Sequence, residues 1–172
     1  MYQIATKGLM FSKRKSLPIS AESPRRKETR KDFKILKPIA KGAFGKVYLA
    51  RKKKTGDLYA IKALRKKDMI RKKQVDRIKS ERNIMISTTA ETKSSSENPF
   101  VVNLYYTFQS KRHLYMVMEY MPGGDLYSLL KAMSYFEEDM AKYYMAEIVL
   151  AVEYLHSRHI THRDLKPDNL LV

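Results

Sequence analysis

The 172-residue sequence contains no cysteine. This absence excludes disulfides, thiol nucleophiles and cysteine-ligated zinc, and it is typical of a reducing compartment, so we expect an intracellular protein of the cytoplasm or nucleus. No apolar run reaches the roughly 20 residues that a membrane-spanning helix needs, and we expect no membrane span. Residues 1–15 lack the continuous apolar core of a secretory signal.

Acidic residues are scarce relative to basic ones. Lys and Arg number 35 against 18 Asp and Glu, which gives a formal net charge of +17. Residues 1–31 and 51–82 hold most of the excess, and such a charge favours nucleic acid, acidic lipid or phosphate groups as partners. Neither region interleaves aromatic residues with its charges as a groove for single-stranded nucleic acid does. We therefore expect a nucleotide ligand and no specific nucleic acid, and a basic nucleic-acid-binding protein is the least favoured alternative.

The residues with the clearest chemistry lie in the stretch HRDLKPDN at 162–169. Asp164 can accept a proton from an attacking hydroxyl, and Lys166 can hold positive charge against a phosphate. Asn169 offers a neutral carbonyl oxygen to a hard cation such as Mg²⁺. The stretch matches H-R-D-L-x-x-x-N at every fixed position, whereas the alternative, a polar turn after a helix, explains only the Asp, Pro and Asn. We predict that Asp164, Lys166 and Asn169 are catalytic residues for phosphoryl transfer.

A glycine-containing hairpin at 39–47 joins two predicted strands. Glycine allows backbone N–H groups to approach phosphates closely, and the pattern is similar to G-x-G-x-x-G-x-V, with Gly42 and Gly45 in place and Ala40 at the first glycine. Two glycines alone indicate only a turn, and the spacing to Lys62 favours the phosphate-binding interpretation. The predicted nucleotide-contacting residues of this loop are Ala40, Lys41, Gly42, Ala43, Phe44, Gly45, Lys46 and Val47.

A second charged position is predicted on the next strand. Alternation over 58–64 places Ala60 and Lys62 on one apolar face, where a lysine needs an anionic partner such as the phosphates of a nucleotide. The amphipathic helix that follows contains Glu81 at the border of its buried face. We predict a Lys62–Glu81 ion pair that makes the site competent. The alternatives are a solvent-exposed lysine and a surface pair within the helix.

The rest of the chain supplies connections. Proline and paired glycines at 119–124 predict a connector whose extended backbone can read the edge of adenine. Asp125 could bond the ribose, cap the next helix, or do both. Residues 1–31 are expected to be a disordered tail, and residues 87–98 a flexible insertion. A long helix over 137–157 is predicted to bury an apolar stripe of Met140, Tyr144, Ile148 and Val152, widened by Met145, Val149 and Leu155.

From Asp32 to Val172 the sequence resembles the eukaryotic protein kinases, and within them the AGC group. It is most similar to the branch that contains Greatwall, the MAST kinases and the plant IRE kinases. The segments that carry the resemblance are 37–39, 42–45, 55–58, 68–72, 81–84, 114–120 and 123–126. The resemblance implies an α+β kinase-like fold: a five-stranded antiparallel lobe with a regulatory helix at 32–118, a hinge at 119–124, and at 125–172 the first helices and catalytic loop of a truncated helical lobe.

The resemblance also implies an activity. Lys166 after the catalytic aspartate is the form found in enzymes that phosphorylate protein Ser and Thr hydroxyls, with ATP and Mg²⁺ as cofactors. The residues implied to sandwich adenine are Val47, Ala60 and Leu171. Met118 would guard the back of the pocket, the backbone of Glu119 and Met121 would read the base, and a regulatory spine would contain Met85, Leu104 and His162.

The printed sequence ends before the D-F-G aspartate of such enzymes. Asn169 alone is a poor magnesium site, so we expect the 172-residue chain by itself to be inactive at any useful rate. The alternative to an enzyme is a non-catalytic kinase fragment that binds a nucleotide or a regulator. The strongly basic helix region 65–82 is a further expected docking site for an acidic or phosphorylated regulatory segment.

Overall fold

The main sheet has five antiparallel strands, in the spatial order 33–42, 45–52, 58–65, 113–119 and 104–109. In this computed structural model, residues 3–5, 28–42, 45–91 and 100–172 are described. The strands are β1 Ile4–Ala5, β2 Phe33–Gly42, β3 Gly45–Lys52, β4 Leu58–Arg65, β5 Leu104–Gln109, β6 His113–Glu119 and β7 Leu170–Leu171. The helices are α1 Lys66–Arg71, α2 Val75–Glu91, α3 Leu126–Met133 and α4 Glu138–His156. The predicted α+β class and five-stranded antiparallel sheet are confirmed, whereas the division into lobes at 119–124 stays a prediction.

Each face of the sheet carries a buried cluster, and alternation along β4 distributes its side chains between the two clusters. Tyr59 and Ile61 belong to a cluster of aromatic and aliphatic side chains on one face. Ala60 and Leu64 belong to the larger core on the other face, the same cluster that includes Met85 of α2. The predicted apolar face of β4 is therefore the one directed toward α2.

The helix α2 extends further than the sequence predicts. The Thr88 hydroxyl donates to the Ile84 carbonyl at 3.0 Å, and the Thr89 hydroxyl donates to the Met85 carbonyl at 2.6 Å. The backbone N–H of Leu104 donates to the Thr89 hydroxyl at 2.9 Å, which ties the last turn of the helix to β5. The prediction of a flexible insertion is thus wrong for residues 87–91, where the tertiary bond to β5 holds the chain in the last turn of the helix. Residues 92–99 lie outside the described part of the chain.

Part of the predicted disordered tail is ordered. Ile4 and Ala5 pair in parallel with β7, at Leu170 and Leu171, and Ile4 is fully buried. A capping box between Thr29 and Asp32 opens a short 3₁₀ turn before β2. The prediction is therefore wrong for residues 3–5 and 28–31, and residues 6–27 lie outside the described residues. A single buried isoleucine produces no apolar period, so local patterning gave no signal for it.

The predicted apolar stripe of α4 is right in part. Leu155 is buried, and Tyr144 and Ile148 are half-buried and pack against the main core, but Met145 and Val149 are exposed. The helix has apolar residues around most of its circumference, so spacing indicated the centre of the packed face but not its width. Among the described residues, no helix is both long and apolar enough to cross a membrane.

Candidate active site

The predicted ion pair between the sheet and α2 is present. Lys62 lies on β4 with β3 and β6 on either side, in register with Val47 and Met116. Its Nζ atom is 2.6 Å from Oε1 of Glu81, and the two side chains are 26% and 5% exposed. The helix therefore fixes the lysine from the core side of the sheet. The switching role of this pair stays a prediction.

The hairpin between β2 and β3 has the predicted form. Gly42 and Gly45 form its last described rung, and exposed Lys41 and Lys46 form the rung before it. A β-carbon added at Gly45 would overlap the carbonyl oxygen of Ala63, whereas one added at Gly42 would meet nothing nearer than 4.0 Å. The contact with β4 therefore requires glycine at position 45 for steric reasons alone. The predicted phosphate-contacting residues Ala43 and Phe44 lie outside the described residues.

Ala40 takes the place of the first loop glycine without disturbing the hairpin. It is exposed and pairs with Val47 beside an irregularity in the ladder after Pro38. The nearby β2 residues are exposed as well, so an alanine side chain at this position has room. The loop geometry therefore tolerates the departure from the glycine pattern.

The residues predicted to contact adenine lie in one apolar cluster. Ala60 and Met118 are buried and in register across β4 and β6. Val47 and Leu171 are half-buried and pack against the same cluster. The backbone N–H of Val172 donates to the Gly124 carbonyl at 3.0 Å, which holds the end of β7 against the connector. The structure thus brings the predicted base-contacting side chains together, although their contact with a base stays a prediction.

The connector backbone can offer different groups at its two predicted base-reading positions. The N–H of Glu119 donates to the Asn103 carbonyl at 2.9 Å, so the predicted contact of Glu119 with a base would use its carbonyl. The N–H of Met121 has no hydrogen-bond partner among the described residues. The two predicted contacts would therefore use an acceptor and a donor, as the edge of adenine requires, and they stay a prediction.

Asp125 caps α3. Its Oδ1 accepts the backbone N–H of Ser128 at 2.8 Å and its Oδ2 accepts the Ser128 hydroxyl at 2.9 Å. The predicted capping role is thus present. A carboxylate has about four acceptor sites, so a ribose hydroxyl can still be accommodated, and that contact stays a prediction.

The catalytic-loop residues form one hydrogen-bonded unit. The Asn169 amide donates to the Asp164 carbonyl at 2.8 Å and to Asp164 Oδ2 at 2.9 Å. The Asp164 backbone N–H donates to Nδ1 of buried His162 at 3.3 Å. Lys166 Nζ lies 3.7 Å from Asp164 Oδ2 and is half exposed, so it can turn toward an incoming phosphate. Arg163, which lies between His162 and Asp164, has a left-handed φ of 65°, a local strain that the sequence does not reveal.

The described residues supply only part of a magnesium site. Because the Asn169 amide nitrogen donates to Asp164, its orientation is fixed and its Oδ1 is the atom suited to a hard cation. No group of three or more His, Cys, Asp or Glu side chains in the described ranges could hold a metal ion. Asn169 therefore fits as one ligand, and phosphate oxygens would supply others.

The predicted regulatory spine is only partly visible. Met85 and Leu104 are both buried in the main core, and His162 is buried beside Asp164. Their stacking stays a prediction. One position that the sequence did not single out, Asn103, is joined to Glu119 of the connector by tertiary structure alone.

Comparison with known proteins agrees with this geometry. Residues 33–172 match the protein kinase domain family, and the chain belongs to that family. It is 55% identical over 160 residues to the probable serine/threonine protein kinase IRE of Arabidopsis thaliana. It is also 54% identical to the serine/threonine-protein kinase RIM15 of Saccharomyces cerevisiae and 48% identical to the serine/threonine-protein kinase greatwall of Xenopus tropicalis. The matches cover 92%, 83% and 82% of this chain but only 13%, 8% and 15% of those relatives.

Proposed function

We propose that this protein is an ATP-dependent serine/threonine protein kinase that transfers a phosphoryl group to hydroxyls of protein substrates. The observation that carries the proposal is the Asp164–Asn169 unit, in which the Asp164 carboxylate accepts from the Asn169 amide and the Asp164 backbone N–H donates to the buried His162. Its position within a protein kinase domain match over 33–172 supports the same activity. An intracellular location stays a prediction from composition.

In the proposed reaction, Asp164 orients the substrate hydroxyl and accepts its proton. Lys166 balances charge on the transferred group, since its half-exposed amine lies close enough to reach it. Lys62, fixed by Glu81, holds the phosphates that remain on the nucleotide. Mg²⁺, when bound, neutralises phosphate charge, and Asn169 would be one of its protein ligands.

Replacement of Asp164 by asparagine tests this proposal. In a protein that carries this chain together with a D-F-G segment, we expect Asp164→Asn to lower phosphoryl transfer from labelled ATP to a serine or threonine peptide by about 10²–10⁴-fold, because the proton acceptor is lost. Binding of ATP should be retained. Asp168→Asn is the matched control, since Asp168 is an exposed carboxylate on the same loop and should leave transfer unchanged. Equal activity in both variants would contradict the proposed role of Asp164.

The second candidate is a non-catalytic nucleotide-binding module. It is favoured by the incomplete magnesium site among the described residues. Under this alternative, ATP binding depends on Lys62 but no transfer to any peptide is detected, with or without Asp164. The same pair of assays therefore separates the two candidates.

We also propose that an acidic or phosphorylated segment docks beside α1 and α2. A groove of about 440 Å³ lies between these helices and the β5–β6 edge. Its apolar lining includes Met69, Ile78, Phe108 and Leu114, and its basic lining comprises Lys66, Lys79 and Arg82. An apolar floor with a basic rim suits a segment that carries both an apolar side chain and negative charge.

Charge reversal tests the docking proposal. A phosphoserine peptide with a neighbouring phenylalanine should bind the chain, and Arg82→Glu should weaken binding several-fold with a reduced dependence on salt. Arg51→Glu is the control, because this exposed arginine lies on β3, outside the groove lining. Equal losses in both variants would indicate attraction by net charge alone.

A further inference from the structure

Asn103 is joined to Glu119 by both main-chain and side-chain hydrogen bonds. The Glu119 N–H donates to the Asn103 carbonyl at 2.9 Å. The Asn103 Nδ2 atom donates to Glu119 Oε2 at 3.1 Å, and the Asn103 backbone N–H approaches the same oxygen at 3.4 Å. The main-chain bond fixes the distance between these segments, and Glu119 also pairs with Tyr59 of β4. The side-chain bond adds a second link between Asn103 and Glu119.

This arrangement leaves an acceptor unsatisfied. A carboxylate only accepts hydrogen bonds, so the nitrogen of the Asn103 amide must face Glu119 and its Oδ1 must point away. That Oδ1 is buried and has no hydrogen-bond partner among the described residues, and Asn103 is only 6% exposed. An unpaired buried acceptor opposes folding. An apolar side chain would fill the same space without that cost, so packing alone does not explain an asparagine here.

The position of the pair indicates what it controls. Leu104 and Met118 form the last rung of the β5–β6 ladder, and the Asn103–Glu119 pair lies one step beyond it. Glu119 is the last residue of β6, and Met121 follows two residues later in the connector. The pair therefore fixes the first of the two predicted base-reading positions, Glu119, and the start of the chain that leads to the second, Met121.

Asn103 is itself held firmly. Val101 and Val102, which precede it, are fully buried. The Val102 N–H donates to the Gln3 carbonyl at 3.2 Å, and Val101 bridges to Ile4. The segment before β5 thus has little freedom, and the position of Glu119 follows from it.

We propose that Asn103 is a positioning residue for adenine recognition, acting by holding Glu119 so that the Glu119 carbonyl and the Met121 N–H face the base edge. This inference rests on the proposed nucleotide site. It assigns Asn103 no contact with the nucleotide. Because Lys62 and Asp164 are held by other partners, the loss of this pair should weaken contacts to the base and spare contacts to the phosphates.

The test is Asn103→Leu, which removes the donor and the unpaired oxygen while keeping a similar volume. Gln74→Leu is the matched control, because Gln74 is the other amide in the described residues whose buried side-chain oxygen lacks a partner, and it lies between α1 and α2. Dissociation constants for ATP, adenosine and inorganic tripolyphosphate are measured by calorimetry on each purified chain. Thermal unfolding is recorded for each variant without ligand.

We expect Asn103→Leu to weaken ATP and adenosine about three- to tenfold, the effect of one lost hydrogen bond, and to leave tripolyphosphate unchanged. Gln74→Leu should change none of the three. The melting temperatures of the two variants should differ by no more than a few degrees, since each substitution removes an unpaired buried acceptor. If Asn103→Leu does not fold, Asn103→Ala replaces it, because the main-chain bond to Glu119 is kept.

Unchanged or tighter adenosine binding by folded Asn103→Leu would overturn the inference, as would an equal loss for tripolyphosphate or for Gln74→Leu. If the unsubstituted chain binds neither ATP nor adenosine, the proposed nucleotide site fails, and the inference fails with it. If the unsubstituted chain binds both and Asn103→Leu binds them equally well, only the inference about Asn103 fails.

Discussion

Lys62 and Glu81 differ in burial, and this difference predicts unequal costs for removing either one. Breaking a fully buried ion pair costs about 3–5 kcal/mol, because the remaining charge stays buried. Lys62→Met leaves the Glu81 carboxylate, 5% exposed, without this cation, so we expect a loss of about 3 kcal/mol in the free energy of unfolding. Glu81→Gln leaves a lysine that is 26% exposed and can be hydrated, so we expect only about 1–2 kcal/mol.

A double-mutant cycle measures the interaction itself. Urea unfolding of the two single variants and of Lys62→Met/Glu81→Gln gives the coupling free energy, which we expect to be about 1–3 kcal/mol. The Glu138–Lys142 pair on α4 is the control, since its nitrogen–oxygen distance is also 2.6 Å but its side chains are 81% and 67% exposed. Its coupling should be about 0.3–0.5 kcal/mol. Equal coupling in the two cycles would refute the argument that burial determines the strength of the pair.

Three further predictions concern the scaffold. Burial raises the pKa of Tyr59 above its ordinary value of 10.0, so the folded state keeps a proton that the unfolded state releases. Stability should therefore fall as pH rises above about 10, and urea unfolding of Tyr59→Phe should show a shallower fall, whereas an identical slope would contradict this. Gly45→Ala should lower the free energy of unfolding, measured in urea, by about 1–3 kcal/mol, because it places a methyl group in an occupied position. Gly42→Ala, which has room for the methyl group, should lower it by less than about 0.5 kcal/mol. Equal effects of the two substitutions would contradict this reasoning. Ile4→Ala should cost about 2–5 kcal/mol, against less than about 0.5 kcal/mol for exposed Ile70→Ala, and a negligible Ile4 effect by thermal or urea unfolding would show that β1 does not support the core.

Features within a short stretch of chain could be predicted well. Asp164 and Asn169 are five residues apart, so a single turn brings them within hydrogen-bond distance. The alternation along β4 and the helical spacing around Glu81 placed both partners of the ion pair on faces that meet. Lys62 and Glu81 are nineteen residues apart, but their pairing could be predicted because a buried charge requires a partner of opposite sign, and few such partners are possible.

Features without such a chemical demand could not be predicted. Nothing in the residues around Asn103 marks it as a partner for Glu119, since asparagine is equally suited to a turn or a helix cap. The exposed Met145 and Val149 are as apolar as the half-buried Tyr144 and Ile148, so spacing did not indicate how wide the packed face of α4 is.

The sequence by itself determined the fold class, the sheet, the catalytic loop and the lysine–glutamate pair. Each depends on local periodicity or on a charge that must be neutralised. Only the tertiary structure decided that Ile4 pairs with β7 near the opposite end of the chain, that α2 continues to Glu91, and that Asn103 holds the start of the connector. These contacts join residues distant in sequence, and they arise because folding selects one packing among several apolar surfaces of similar free energy.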